Sequence, residues 1–199
     1  MLTITDAARE LLYNKMRSAG LGEGYAVRLK ILGRTLSGFK YDFRTVPSKE
    51  RAEDDLVIEL GEFPVYLDSD TVQNLEGAVI DVKPEGGLKI DNPNPVLTSD
   101  LQREVAKLLE AKINPGVGIH GGEVLLVDIK DHTAYVNMEG GCKGCGMART
   151  TFRLGIEKMI REAVPAIESV IDITEHEKGL HPFYAPNTTG ESPLQNPDQ

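Results

Sequence analysis

Gly140-Gly141-Cys142-Lys143-Gly144-Cys145-Gly146 contains both cysteines of a chain of 199 residues. A β-rich run, Thr133 onward to Met138, precedes it, and an amphipathic run from Met147 to Val164 follows it. The stretch therefore reads as a strand-to-helix junction. Helix N-termini present unpaired N–H groups and partial positive charge, and both favour thiolates. Lys143, Arg149 and Arg153 place local positive charge in a chain of net charge −9. Gly140, Gly141, Gly144 and Gly146 let the backbone approach sulfur and take positive φ. Such a loop suits thiolates that bind something metallic or anionic.

Outward from the loop, residues 124–129 and 133–138 read as two strands joined at Asp131-His132. Phe152, Ile156, Met159, Ile160 and Ala163 form the apolar face of the helix over 147–164. Residues 167–173 read as a third strand. Upstream, Ser99-Asp100-Leu101-Gln102 has capping-box spacing before a helix with Leu101, Val105, Leu108, Leu109 and Ile113 on one face. Asn114-Pro115-Gly116 is expected to stop that helix. The order α-β-β-loop-α-β predicts a small α/β domain over 99–184, one sheet with helices on one face. Residues 185–199 read as a disordered tail.

Asp91-Asn92-Pro93-Asn94-Pro95 separates this domain from another over 1–95, because two prolines in three residues continue neither a helix nor a central strand. Thr5 reads as the N-cap of a helix over 7–16. Residues 25–32 alternate as a half-buried strand and 39–43 as its return. Short strands follow at 55–60 and 63–67, then a helix capped near Asp68, then a hairpin over Pro84-Glu85-Gly86-Gly87. This half is mostly β, so the fold class is α+β.

The charge is −4 over residues 1–98 (12 basic against 16 acidic) and −5 over 99–199 (10 against 15). With both halves acidic and Trp absent, neither a phosphate-neutralising surface nor a base-stacking platform is expected, so no nucleic-acid partner is. No apolar run is long enough for a membrane helix. No secretory leader is read at Met1-Leu2-Thr3-Ile4, so the reducing cytoplasm is the expected compartment.

A Cys-x-x-Cys has four uses: dithiol redox, zinc, a structural disulfide, or an iron–sulfur cluster. The compartment disfavours the disulfide. A thioredoxin-like dithiol needs the motif after the first strand of a βαβ unit, whereas a hairpin is expected here. Structural zinc and iron–sulfur clusters commonly take four protein ligands; for zinc the other two must come from histidines or a second chain, and for a cluster of four thiolates one chain offers half a site. Two chains, each presenting Cys142 and Cys145, complete it. On the residues alone, zinc and iron–sulfur are not separable. Two small buried residues would be the plainest reading, but a glycine-dense loop is a poor core. His120, His132, His176 and His181 lack mutual ligand spacing and read as solvated or hydrogen-bonded. Residues 116–122 are glycine-rich but lack the Lys-Ser/Thr of a phosphate loop. Asp54-Asp55, Glu175 and Glu177 read as solvated charges.

The run Val136-Asn137-Met138-Glu139-Gly140-Gly141-Cys142-Lys143-Gly144-Cys145-Gly146-Met147-Ala148, with the helix to Val164-Pro165, resembles the NifU C-terminal (Nfu) domain from about Leu101 to Tyr184. Residues 1–98 resemble the A-type carrier fold (the IscA/HesB family) through residues 4–12, Ser37-Gly38 and residues 89–95. That family has a cysteine before Ser-Gly and a Cys-Gly-Cys near the domain end. Here Leu36 precedes Ser37, and residues 92–97 contain no cysteine. The resemblance implies a degenerate HesB-like domain that recognises client apoproteins, a scaffold or other carriers. It also implies a 4Fe–4S cluster, one per homodimer with Cys142 and Cys145 from each subunit, delivered to apo iron–sulfur proteins without catalysis. A dithiol oxidoreductase and a zinc-bridged structural dimer are the alternatives.

Overall fold

The structure, a computed structural model, describes residues 2–144 and 155–176. Contacts divide the chain into two compact units, Met1–Leu32 with Phe39–Val96, and Gly33–Gly38 with Leu97–Gln199. Cys145, Arg149, Phe152, Arg153, His181 and the tail over 185–199 lie outside the described residues.

In the first unit, Thr5 caps α1 (Asp6–Ser18) by accepting from the Ala8 amide. Ala8, Leu12 and Met16, four apart, are the buried stripe of this helix. β1 (Thr3–Ile4) pairs in parallel with β6 (Val79–Val82), and β7 (Leu88–Asp91) returns antiparallel across the expected hairpin. In a second sheet, β2 (Tyr25–Arg34) runs parallel to β5 (Pro64–Leu67), and β4 (Leu56–Glu59) lies antiparallel on β5. β3 (Phe39–Pro47) pairs with β2. Asp68 caps α2 (Ser69–Asn74) by accepting from the Thr71 amide. Leu12, Leu29, Val65, Leu67, Leu75 and Ile80 meet in one apolar core.

In the second unit, Ser99 Oγ accepts from the Gln102 amide at the start of α3 (Asp100–Leu108). The reciprocal bond falls one residue earlier than a capping box requires. Gln102 Oε1 takes the Thr98 amide at 2.7 Å. Asn114-Pro115-Gly116 does not stop the helix. A wider π-helical turn over Leu109–Ile113 leads into α4 (Asn114–Gly118). Proline in the first turn of a helix forfeits only an amide with no intrahelical partner. Asn114 meanwhile spends its side chain on Val124, with Nδ2 donating to the carbonyl and Oδ1 accepting from the amide.

β8 (Gly122–Lys130) and β9 (Thr133–Gly140) form an antiparallel hairpin. Its turn residues, Asp131 and His132, both have positive φ, at 46° and 59°, as a two-residue type I′ turn demands. After the cysteine loop, α5 (Glu157–Ala163) leads to β10 (Ser169–Asp172), which pairs with β9 in parallel. Ile156, Ile160 and Val164, again four apart, are the buried stripe. Met159 and Ala163 fall beside that stripe and are exposed, unlike the expected face. The parallel pairing corrects the strand-order argument against a redox dithiol. The hairpin is real, but its second strand also opens a βαβ unit, and Cys142 follows the end of that strand.

Candidate functional site

The hairpin register decides where the cysteine loop lies. Gly122 pairs with Gly140, so the two strand ends finish opposite one another. The Gly141 amide donates to the Gly121 carbonyl at 2.8 Å, and the Lys143 amide to the Gly140 carbonyl at 3.1 Å. Gly140 and Gly144 are left-handed, with φ of 61° and 78°. The approach is close enough to exclude side chains at three positions. A Cβ on Gly140 would lie 2.2 Å from the Gly121 carbonyl oxygen, and one on Gly141 would lie 2.1 Å from that of His120. A Cβ on Gly122 would meet Cys142 Sγ at 2.2 Å.

Cys142 is only 9% exposed and packs with Val117, Val124 and Met138 in the core of the second unit. The expectation that the loop glycines bring backbone near sulfur is corrected: Gly140 and Gly141 approach the carbonyls of Gly121 and His120 instead. Gly122, on the opposite strand, makes the space that Cys142 Sγ occupies. The same packing gives Cys142 a place in the core, against the expectation that a glycine-dense loop would be a poor one.

Lys143 does not stand as an unpaired cation beside the thiols. Its ammonium is 3.2 and 3.4 Å from the two Glu139 carboxylate oxygens, with both side chains mostly buried. Glu139 also accepts from Asn137 Nδ2 at 3.1 Å.

His132 and His176 are hydrogen-bonded, as expected. His132 Nδ1 meets the Ala166 carbonyl at 3.0 Å and anchors the hairpin turn. His176 reaches the site itself. The Gly144 amide donates to its Nδ1 at 3.3 Å, and its Nε2 lies 2.9 Å from Asp172 Oδ2. Sequence reading missed this role. The available signal was Asp172 four residues before His176, just where β10 ends. His120 is exposed. Among the described residues, no group of three or more His, Cys, Asp or Glu side chains is placed to hold a metal ion. No described helix is long and apolar enough to cross a membrane.

The first unit brings no thiol to this chemistry. Leu36, before Ser37-Gly38, is exposed and falls in the stretch that clusters with the second unit. Asn92 and Asn94 hold the end of the domain together. Asn92 Nδ2 donates to Tyr41 Oη and to the Asn74 carbonyl, and Asn94 Nδ2 to the Asn74 and Glu76 carbonyls. Asp55 is not the solvated charge expected from sequence. Arg28 grips it through two hydrogen bonds of 2.9 and 2.6 Å, and the Ala52 amide adds a third. Burial pushes the Asp55 carboxyl up, but the Arg28 and Ala52 bonds outweigh it and hold the group below its ordinary value. A cleft of about 330 Å³ is lined by Tyr13, Arg17, Glu62 and Phe63 among others. The Tyr13 hydroxyl donates to Glu62 across it at 2.6 Å.

The family model described as an iron-sulphur cluster biosynthesis domain matches residues 1–105, and one described as a NifU-like domain matches residues 105–171. The Fe/S biogenesis protein NfuA of Pseudomonas aeruginosa is 33% identical, the match covering 92% of this chain and 98% of that protein. The Fe/S biogenesis protein NfuA of Azotobacter vinelandii is 32% identical with the same coverage. A crystal structure of IscA with the [2Fe-2S] cluster aligns with a TM-score of 0.38 and 21% identity, covering 50% of this chain and 92% of that one. With a HesB-like domain in front and an Nfu domain behind, matched over nearly its whole length, this chain belongs to the Fe/S biogenesis protein NfuA family.

Proposed function

We propose that the chain is a carrier for a 4Fe–4S cluster, which two copies hold between them through Cys142 and Cys145 of each and pass on to apoproteins. It catalyses no reaction of its own, and the cluster is its cargo. The observation that carries this reading is the donor set. The chain has two thiols, both in one glycine-shaped loop, and no described group of three metal-binding side chains supplements them. Two soft thiolates are half of the four that a cluster commonly takes, so a second copy completes the site. In the single protomer Cys142 Sγ is turned against Gly122. Taking up cargo therefore requires this loop to swing its sulfur outward, and Gly140 and Gly144 flank the segment that moves. A reducing cytoplasm suits such thiolates.

The first unit, with a complete core and no cysteine, serves in this reading to recognise client apoproteins, a scaffold or other carriers. Anaerobic reconstitution with iron and sulfide, read by Mössbauer spectroscopy and by solution mass, tests the proposal. A dimer with four irons and four sulfides is the expected result; a monomer that retains no iron ends the idea. Metal analysis of anaerobically purified protein separates a zinc-bridged dimer from it.

One observation favours a second reading. The motif closes the first strand of a parallel βαβ unit, the position of a thioredoxin-like dithiol. A dithiol oxidoreductase predicts disulfide exchange by the metal-free monomer and a measurable two-electron potential.

A further inference from the structure

The end of β10 is tied to the cysteine loop by a chain of side-chain hydrogen bonds. The Met138 amide donates to Thr174 Oγ1 at 2.7 Å. The Thr174 hydroxyl donates in turn to Asp172 Oδ1, and the Thr174 amide reaches the same oxygen at 2.9 Å. The second oxygen, Asp172 Oδ2, faces His176 Nε2. The last link is the Gly144 amide on His176 Nδ1. Asp172 and His176 side chains are each 15% exposed, so the links are sheltered from competing water.

The donor directions fix the state of the ring. An N–H aimed at Nδ1 needs a lone pair there, and a carboxylate facing Nε2 needs a proton there. Asp172 thus selects the tautomer that can accept from Gly144. Thr174 in turn holds Asp172, using both its amide and its hydroxyl on one carboxylate oxygen. The product is a single acceptor, pointed at the one backbone amide between Lys143 and Cys145.

We infer that His176, oriented by Asp172, latches the loop between the two cysteines and keeps Cys142 Sγ turned inward against Gly122. His176 is a positioning residue in this scheme, acting through the Gly144 backbone on the residues either side. The latch rests on the carrier reading only for its purpose, which is to shelter the thiol while no cargo is bound. Its geometry stands without that reading, and it is tested on the cluster-free chain.

The experiment is timed alkylation of the reduced, metal-free full-length protein with iodoacetamide. Trypsin cuts after Lys143, so mass spectrometry of the digest scores Cys142 and Cys145 separately. His176→Phe keeps a ring but removes the acceptor. His176→Asn loses the ring but keeps an amide oxygen at the place of Nδ1. We expect Cys142 in H176F to react about tenfold faster, the factor held by one hydrogen bond of ordinary net strength. In H176N the rate stays within about twofold of wild type, since the amide oxygen accepts as Nδ1 does. Hydrogen exchange at the Gly144 amide follows the same order, while exchange at Leu125 and Val136 in the hairpin stays as in wild type. The latch is overturned if both variants speed alkylation equally, which would make His176 a packing group, or if neither does. Should H176F fail to fold, H176N against wild type still decides through Gly144: rapid exchange there, with the hairpin amides protected, also overturns it. Reconstitution of wild type with iron and sulfide is scored separately, so loss of the carrier reading does not count for or against the latch.

Discussion

The two units differ in what their polar groups surround. In the first, polar side chains bind tightly to one another or to carbonyls, and nothing reactive is held. Arg28 and Asp55 are paired inside the unit, and Asn92 and Asn94 tie up carbonyls near the domain end. In the second, Gly122 makes space for one sulfur, Gly140 and Gly141 let the strand ends close together, and a histidine meets the loop at a backbone amide. Deleting a polar partner should therefore damage the first unit's stability, whereas adding a single methyl should damage the second unit's site. Family membership gives both halves a place in iron–sulfur biogenesis, but both cysteines lie in the second.

The largest effect expected is on cargo. Cys142→Ser or Cys145→Ser should each remove essentially all reconstituted iron while leaving the melting temperature of the metal-free protein within a few degrees. Retention of the cluster by either variant would break the division of labour between the units. The second effect belongs to the first unit alone. Asp55→Asn leaves Arg28 without its carboxylate and should cost about 3 kcal/mol in urea unfolding, as for other broken buried ion pairs. Its pH dependence has a definite sign. The folded-state value of Asp55 is lowered, so its contribution is present above the unfolded value of about 3.9 and is lost as pH falls through the folded value. The gap between wild type and D55N should accordingly be constant from pH 7 to about 5 and shrink below about 4. A gap that widens in acid would contradict the assignment.

Gly122→Ala sharpens the contrast from the other side. Its methyl group competes with Cys142 Sγ for one space, and overpacking of this kind costs about 2 kcal/mol. Its signature is faster alkylation of Cys142, because the sulfur must leave its seat. The smallest effect is at Lys143. Lys143→Met removes a pair with Glu139 that is mostly but not wholly buried, and should change stability by no more than about 1 kcal/mol. A large loss of cluster in K143M would mean that its charge acts on the thiols after all.

Local signals made much of this legible in the sequence. Thr5, Asp68 and Ser99 mark helix starts because a capping side chain bonds within three residues of its own position. Alternation at Tyr25, Val27, Leu29 and Ile31 marks a strand, and glycines beside Cys142 mark a close approach. What could not be read depended on pairing at a distance. The partner that buries Asp55 lies 27 residues away, and the histidine that meets Gly144 lies 32 away. No periodicity encodes either. The Asn114-Pro115-Gly116 misreading has a similar origin. Those residues are breakers by propensity, and only the presence of β8 gives Asn114 both backbone groups of Val124 to satisfy.

The separation between Gly144 and His176 also has a consequence in time. A chain is made from its N-terminus, and a hairpin closed by a two-residue turn forms within microseconds. β8, β9 and the cysteine loop can thus take shape before the segment carrying Asp172, Thr174 and His176 has docked. For that interval the loop exists without its histidine, and the sulfur of Cys142 is at its most reactive in the nascent protein. Docking of β10 beside β9 then closes the interval.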